Sequence, residues 1–117
     1  MKDYTSIFRA YSNEISLRII KLLVETSDSI CVCEFSFVFH RPIYEVSKVL
    51  KPLRKSGFVT PTRKGKYIFY HISDINDPFK LKVLEALGQM KCEVFDSDVI
   101  VFKKMRREGK IPYCPYY

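Results

Sequence analysis

Tryptophan is absent from these 117 residues, glycine occurs only four times and histidine twice. So few glycines, with no repeat period, exclude collagen-like, solenoid and low-complexity organisation. No uninterrupted apolar run approaches the roughly 18–20 residues that span a bilayer. The opening stretch MKDYTSIFRAYSNE has no continuous apolar segment that could act as a signal peptide. The expectation is therefore a cytoplasmic protein with no membrane association. Also lacking are a nucleophile–base constellation, a glycine-rich phosphate loop and paired carboxylates, so an enzyme is not expected.

A more informative shortage is of acidic residues in one segment. Residues 1–40 hold four bases and five acids, net −1, and residues 67–117 hold eight bases and seven acids, net +1. Residues 41–66 hold Arg41, Lys48, Lys51, Arg54, Lys55, Arg63, Lys64 and Lys66 against Glu45 alone, net +7. The whole net charge thus lies in about a fifth of the length, the electrostatic footprint of a polyanionic partner. Hydrophobic residues make up 47% and charged residues 28%, a globular rather than disordered composition. The length suits one domain, taken as residues 1–110 with an extended tail at 111–117.

Periodicity orders the elements. Ile7, Phe8 and Tyr11 predict a short helix over 4–11. A second helix follows Ser12 as N-cap, with a wide apolar stripe from Ile15 to Val24. Residues 30–39 are apolar enough for a strand but read here as a short helix. Pro42 then opens a helix in which Val46, Val49, Leu50 and Leu53 fall at i, i+3, i+4 and i+7, and Gly57 ends it. Residues 58–63 and 66–72 read as strands around a Lys64-Gly65 turn. Asp77 caps a helix to about Met90, with Leu81, Leu84 and Leu87 on one face. A last helix runs from Asp98 to Glu108, with Ser97 or Asp96 as cap, Arg106 and Arg107 complementing its dipole, and Gly109 as stop. Glu93, Asp96 and Asp98 read as caps or a solvated face.

A short helix, a tight turn, a basic amphipathic helix and a basic hairpin make a winged helix-turn-helix: mainly α with a β-hairpin wing, an α+β fold. One helix fits a major groove while the hairpin reaches neighbouring phosphates. The expected DNA-contacting residues are Arg41, Tyr44, Ser47, Lys48, Lys51 and Lys55 on the recognition helix and its turn, and Arg63, Lys64 and Lys66 on the wing. The alternative is an α+β domain whose basic helix is merely solvated. His40, in the turn, and His71, in a wing strand, read as structural or phosphate-facing.

Four stretches together resemble the ArsR/SmtB family of metal-responsive winged-helix repressors. Residues 12–19, SNEISLRI, resemble the family's S-[DN]-E-x-x-L-R-I start of the second helix. Residues 30–35, ICVCEF, are similar to its ELCVC[DE]L metal box. KPLRKSGFV at 51–59 resembles the end of the recognition helix, and GKYIFYHI at 65–72 its wing. The resemblance covers roughly residues 5–73. It implies a homodimeric repressor on double-stranded DNA with an inverted-repeat operator, joined through helices near both termini. Departures are Ser36, where some members carry a third cysteine, Pro42-Ile43-Tyr44 in place of small polar residues, and Pro52, which predicts a kink or early end of the recognition helix.

Four unevenly spaced cysteines in a cytoplasmic chain point to thiolate chemistry rather than a disulfide scaffold. The resemblance makes Cys31 and Cys33 ligands for a soft metal or metalloid inducer, trivalent arsenic or cadmium in type, with no cofactor required. Cys92 or Cys114 is the candidate third ligand. In a regular helix residues i and i+2 point about 200° apart, so binding one ion through both requires the helix start to open. The same thiols could instead serve a redox or persulfide sensor, or pack inertly as small apolar side chains in a DNA-binding protein that senses nothing.

Overall fold

The computed structural model describes residues 1–109. Elements follow in the order α1 (Lys2–Ala10), α2 (Glu14–Thr26), β1 (Ile30–Cys31), α3 (Val32–Phe39), α4 (Ile43–Lys55), β2 (Val59–Lys64), β3 (Tyr67–Ile72), α5 (Pro78–Gly88) and α6 (Glu93–Glu108). Helices and wing stand in the order expected from periodicity, but several local assignments differ.

The cap of α2 is Asn13 rather than Ser12: its Oδ1 accepts from the Ile15 and Ser16 N–H groups at 2.7 and 3.4 Å. Ser12 instead donates its hydroxyl to the Arg9 carbonyl at 2.8 Å, closing α1. The apolar run 30–39 divides between two states. Ile30 and Cys31 pair with Tyr70 and Phe69, adding a third strand to the wing in the order β1-β3-β2, and only then does α3 begin. In the hairpin, Lys64 pairs with Tyr67, so the turn is Gly65-Lys66, one residue later than expected. Gly65 takes φ +64, a left-handed conformation that glycine adopts without steric penalty.

The recognition helix does not end early at Pro52 but continues to Lys55. Pro52 removes only the bond to the Lys48 carbonyl, on the exposed side where water can serve it. The Pro52 carbonyl in turn accepts from the Ser56 N–H at 3.0 Å and its hydroxyl at 2.8 Å. α5 begins as expected, with the Asp77 carboxylate accepting from Lys80 N–H at 2.9 Å. The last helix begins at Glu93, five residues before the expected Asp98, with Cys92 as N-cap. Ser97 and Asp96 are therefore interior helical residues, and Gly109, at φ +69, provides the stop.

The core joins helices and sheet: Ile19, Ile20, Leu22 and Leu23 of α2, Phe35 and Phe39 of α3, Val46, Leu50 and Leu53 of α4, Phe58 and Val59, and Phe102 and Met105 of α6. Burying each such side chain stabilises the fold by roughly 1.5–3 kcal/mol. α6 is thus part of the domain's core, lying against α2 and α3. α5 buries no residue fully and leaves Leu81 exposed. Among the described residues, no helix is long and apolar enough to cross a membrane. The tail at 111–117 lies outside the described residues.

Candidate functional site

The stripe Val46, Val49, Leu50 and Leu53 fixes which way α4 faces: all four are buried against the core. That rotation turns Tyr44, Ser47, Lys48, Lys51 and Lys55 outward, and all five are exposed. Tyr44 is 72% exposed, an aromatic ring held in water at the first turn of a basic helix.

Arg41 is positioned by the turn between α3 and α4. His40 takes φ 55, and its N–H and that of Arg41 both reach the Ser36 carbonyl, the latter at 3.3 Å. The Ser36 hydroxyl donates to the Arg41 carbonyl at 2.6 Å. Ser36, rather than a cysteine, therefore clamps the turn that aims the recognition helix. A thiol, a weaker donor, would hold it less well.

On the wing, Arg63, Lys64 and Lys66 are exposed. The Arg63 Nε donates to the Gly65 carbonyl at 3.1 Å, stiffening the tip. The Lys64 ammonium lies 5.5 Å from the centre of the Phe69 ring, so its stem is supported while its charge remains available. His71 is structural, its ring bonded to the Thr62 hydroxyl and the Ile72 carbonyl, each at 3.1 Å. His40 is exposed at the turn. The structure thus places nine candidate residues on exposed positions of one helix, its preceding turn and the hairpin.

The cysteine pair has a geometry that helical spacing alone does not anticipate. Cys31 is extended, at φ −91 and ψ 165, and caps α3, whereas Cys33 lies in its first turn. The two are therefore not i and i+2 of one regular helix. Both are 4% exposed and pack in one small apolar cluster with Ile43, at the start of α4, and Tyr67 and Phe69, on β3. Burial pushes the Cys31 thiol up from its ordinary value, offset in part by the hydrogen bond from the Glu34 N–H. Cys92 is exposed at the start of α6, and Cys114 lies outside the described residues. Among the described residues no group of three or more His, Cys, Asp and Glu is placed to hold a metal ion. Of the two box sulfurs, Cys31 is a free thiol whereas Cys33 is disulfide-bonded, against the expectation of free thiolates, so both can serve one ion only after that disulfide is reduced.

Periodicity and charge did not anticipate four further residues. Asp98, expected on a solvated face or as a cap, is 3% exposed and bonded to Arg18. Arg106, expected to act on the helix dipole, reaches the carboxylate of Glu34 instead. Both pairs join residues more than seventy positions apart. The one sequence signal for them is the acidic residue that directly follows the cysteine pair.

No family model matches the chain. It is 33% identical over 81 residues to an uncharacterised HTH-type transcriptional regulator of Methanocaldococcus jannaschii, covering 69% of this chain and 90% of that protein. It is 27% identical over 95 residues to the arsenical resistance operon repressor of Escherichia coli, covering 81% and 79%. Among solved structures it resembles HlyU of Vibrio cholerae with a TM-score of 0.63 and 23% identity, over 78% of this chain and 94% of that one.

Proposed function

The chain belongs to the ArsR/SmtB family of winged helix-turn-helix transcriptional regulators, and on that footing we propose that it is a homodimeric repressor released from DNA when a soft metal or metalloid ion binds Cys31 and Cys33. That it is a DNA-binding regulator and not an enzyme follows from its relatives. The repressor role, the inducer and the dimer are the proposal.

One observation carries it. The two buried sulfurs share a cluster with Ile43 of the recognition helix and with Tyr67 and Phe69 of the wing. In the reduced protein, an ion that draws both sulfurs into one coordination sphere must move the side chains that cover them, and those belong to the two elements that present the basic surface. Thiolates favour soft ions such as arsenite or cadmium over hard ones. A third sulfur would come from Cys92 or Cys114. A coupling of a few kcal/mol between ion and DNA is enough to release a regulator from its operator.

The basic residues divide by role. Lys48, Lys51, Lys55, Arg63, Lys64, Lys66 and Arg41 supply phosphate contacts and register, while Tyr44 and Ser47, at the groove-facing start of α4, supply sequence preference. A mobility-shift assay on its own promoter fragment, with arsenite, antimonite, cadmium, zinc and an oxidant added in turn, tests the reading. Arsenite, antimonite or cadmium should release the wild type, and the Cys31→Ser, Cys33→Ser double variant should bind DNA normally and not release. Release by the oxidant alone would instead favour the thiol-redox sensor, and no release by any agent the inert-cysteine regulator.

A further inference from the structure

α6 is fastened to the start of α3 and to α2, whose Arg18 also covers the ring of the last residue of α3. At the start of α3, the buried Glu34 carboxylate accepts from the Cys31 N–H at 3.1 Å, and Cys31 and Glu34 form a reciprocal capping box with sulfur in the place of the usual hydroxyl. The same carboxylate receives the Arg106 guanidinium from α6: Nη2 to Oε1 at 2.9 Å, and Nε to Oε2. Nη2 also donates to the Ser29 carbonyl at 2.7 Å. One guanidinium therefore joins α6, the loop before β1 and the first turn of α3. At the other end, Arg18 of α2 grips Asp98 of α6 through two bonds of 2.9 and 2.7 Å. Its guanidinium carbon lies 4.6 Å from the centre of the ring of Phe39, the last residue of α3. Between these fastenings Phe102 and Met105 are buried in the core.

α3 is the first helix of the helix-turn-helix, and its final turn leads through the Ser36–Arg41 clamp into α4. We propose that α6 is a latch on α3: docked through Arg106–Glu34 and Arg18–Asp98, it holds α3 and hence the recognition helix in the DNA-binding arrangement, and its release is the movement by which events at Cys31 and Cys33 reach the DNA surface. The second half rests on the sensing function proposed above; the first half does not.

The chemistry of the junction gives the coupling a direction. Glu34 cannot remain buried without its partners. A ligand that turns Cys31 away from its cap position removes one N–H from that carboxylate and shifts the turn on which Arg106 closes. Coupling is reciprocal, so whatever loosens α6 should favour ligand binding at the cysteines by the same factor that ligand binding favours loosening.

Arg106→Gln tests the latch in the full chain. Its fold is checked by far-ultraviolet circular dichroism, α6 by amide hydrogen exchange over 98–108, and DNA affinity by anisotropy on the promoter fragment. The expected result is a folded protein with exchange in α6 raised tenfold or more and DNA bound at least fivefold more weakly. Raised exchange in α6 with DNA affinity within twofold of wild type would overturn the latch. So would unchanged exchange, since Arg106 would then not be what holds α6. Should Arg106→Gln fail to fold, Glu34→Gln is judged by the same readings; it keeps an acceptor for the Cys31 N–H and removes the charge that Arg106 grips.

Cadmium, added to the protein after reduction of the Cys33 disulfide, is the probe for the second half, with binding followed by thiolate charge-transfer absorbance. It should raise α6 exchange in the wild type and not in the Cys31→Ser, Cys33→Ser variant, and Arg106→Gln should bind cadmium more tightly than the wild type. Cadmium binding that releases DNA while α6 exchange stays unchanged would overturn the latch as transmitter and leave the sensing reading standing. No thiolate absorbance in the wild type would overturn the sensing reading and the transmitter role with it. The holding role would still be decided by the DNA affinity of Arg106→Gln.

Discussion

At the scale of single residues, burial separates side chains that composition treats alike. Tyr11 packs edge-on against Phe58 with ring centres 5.1 Å apart, and its hydroxyl is buried with no hydrogen-bond partner among the described residues. Burial pushes this phenol well above the ordinary tyrosine value near 10. The unfolded chain therefore releases its proton first as pH rises, so the contribution of Tyr11 to stability is complete below about pH 10 and declines above it, by up to about 1.4 kcal/mol per pH unit. Tyr11→Phe should be neutral or stabilising at pH 7, since it removes an unsatisfied polar group, and should lessen the alkaline loss. Thermal melts at pH 7 and at pH 10–11 check both. Lys64 is the opposite case, a solvated cation on the wing. Lys64→Ala should weaken binding to all DNA sequences and flatten the dependence of log Kd on log salt by about one unit. Tyr44 or Ser47 substitutions should instead change which sequences are preferred, as a binding-site selection would show. None of these four residues differs from its neighbours by charge pattern alone; what separates them is which face their backbone turns outward.

At the scale of elements, α4 was the most legible. Its buried positions at i, i+3, i+4 and i+7 are those that periodicity marks, because an amphipathic helix on a core has one solution for its rotation. Helix starts were less legible, because several residue types can cap and the surrounding backbone decides among them. Asn13, not Ser12, presents its oxygen to two free N–H groups of α2, and Asn13→Ala should cost about 1 kcal/mol in a denaturant titration. Ser12→Ala, one residue away, should cost less. The apolar run 30–39 could not be divided from sequence, since a buried strand and a buried helix look alike over so few residues. What splits it is the exposed edge of β3, which pairs with Ile30 and Cys31 before α3 can start.

At the scale of the whole molecule, the two long-range ion pairs decide where α6 lies. The Arg18–Asp98 pair is almost out of water on both sides. Asp98→Ala would leave an uncompensated buried guanidinium and should destabilise the protein by about 3 kcal/mol or more, seen as a lower denaturant midpoint. Exposed apolar side chains remain at Val94 and Ile100 of α6 and at Ile68 of the wing, and a further group lies on α1 and α5. Tyr4, Phe8 and Leu81 are exposed there, and Phe79 of α5 meets the rings of Tyr4 and Phe8 at 4.9 and 6.2 Å. If this is the face on which two copies meet, two recognition helices can be spaced about one DNA turn, ~34 Å, apart. Sedimentation should show a dimer at micromolar concentration, and Phe8→Glu should shift it towards monomer and weaken operator binding; a wild-type monomer with and without DNA would exclude the arrangement.

The sequence by itself determined the winged helix-turn-helix order, the rotation of the recognition helix, the concentration of positive charge on one helix and hairpin, and the family. All of these are written in local spacing and composition, which the chain carries whatever its partners. Only the tertiary structure decided that the cysteine pair straddles a strand–helix junction beneath the wing, that Asp98 and Arg106 are fastenings rather than solvated charges, and that α6 closes over α2 and α3. Each of those depends on contacts between residues tens of positions apart, and no periodicity within one element encodes which distant charge will be buried against which.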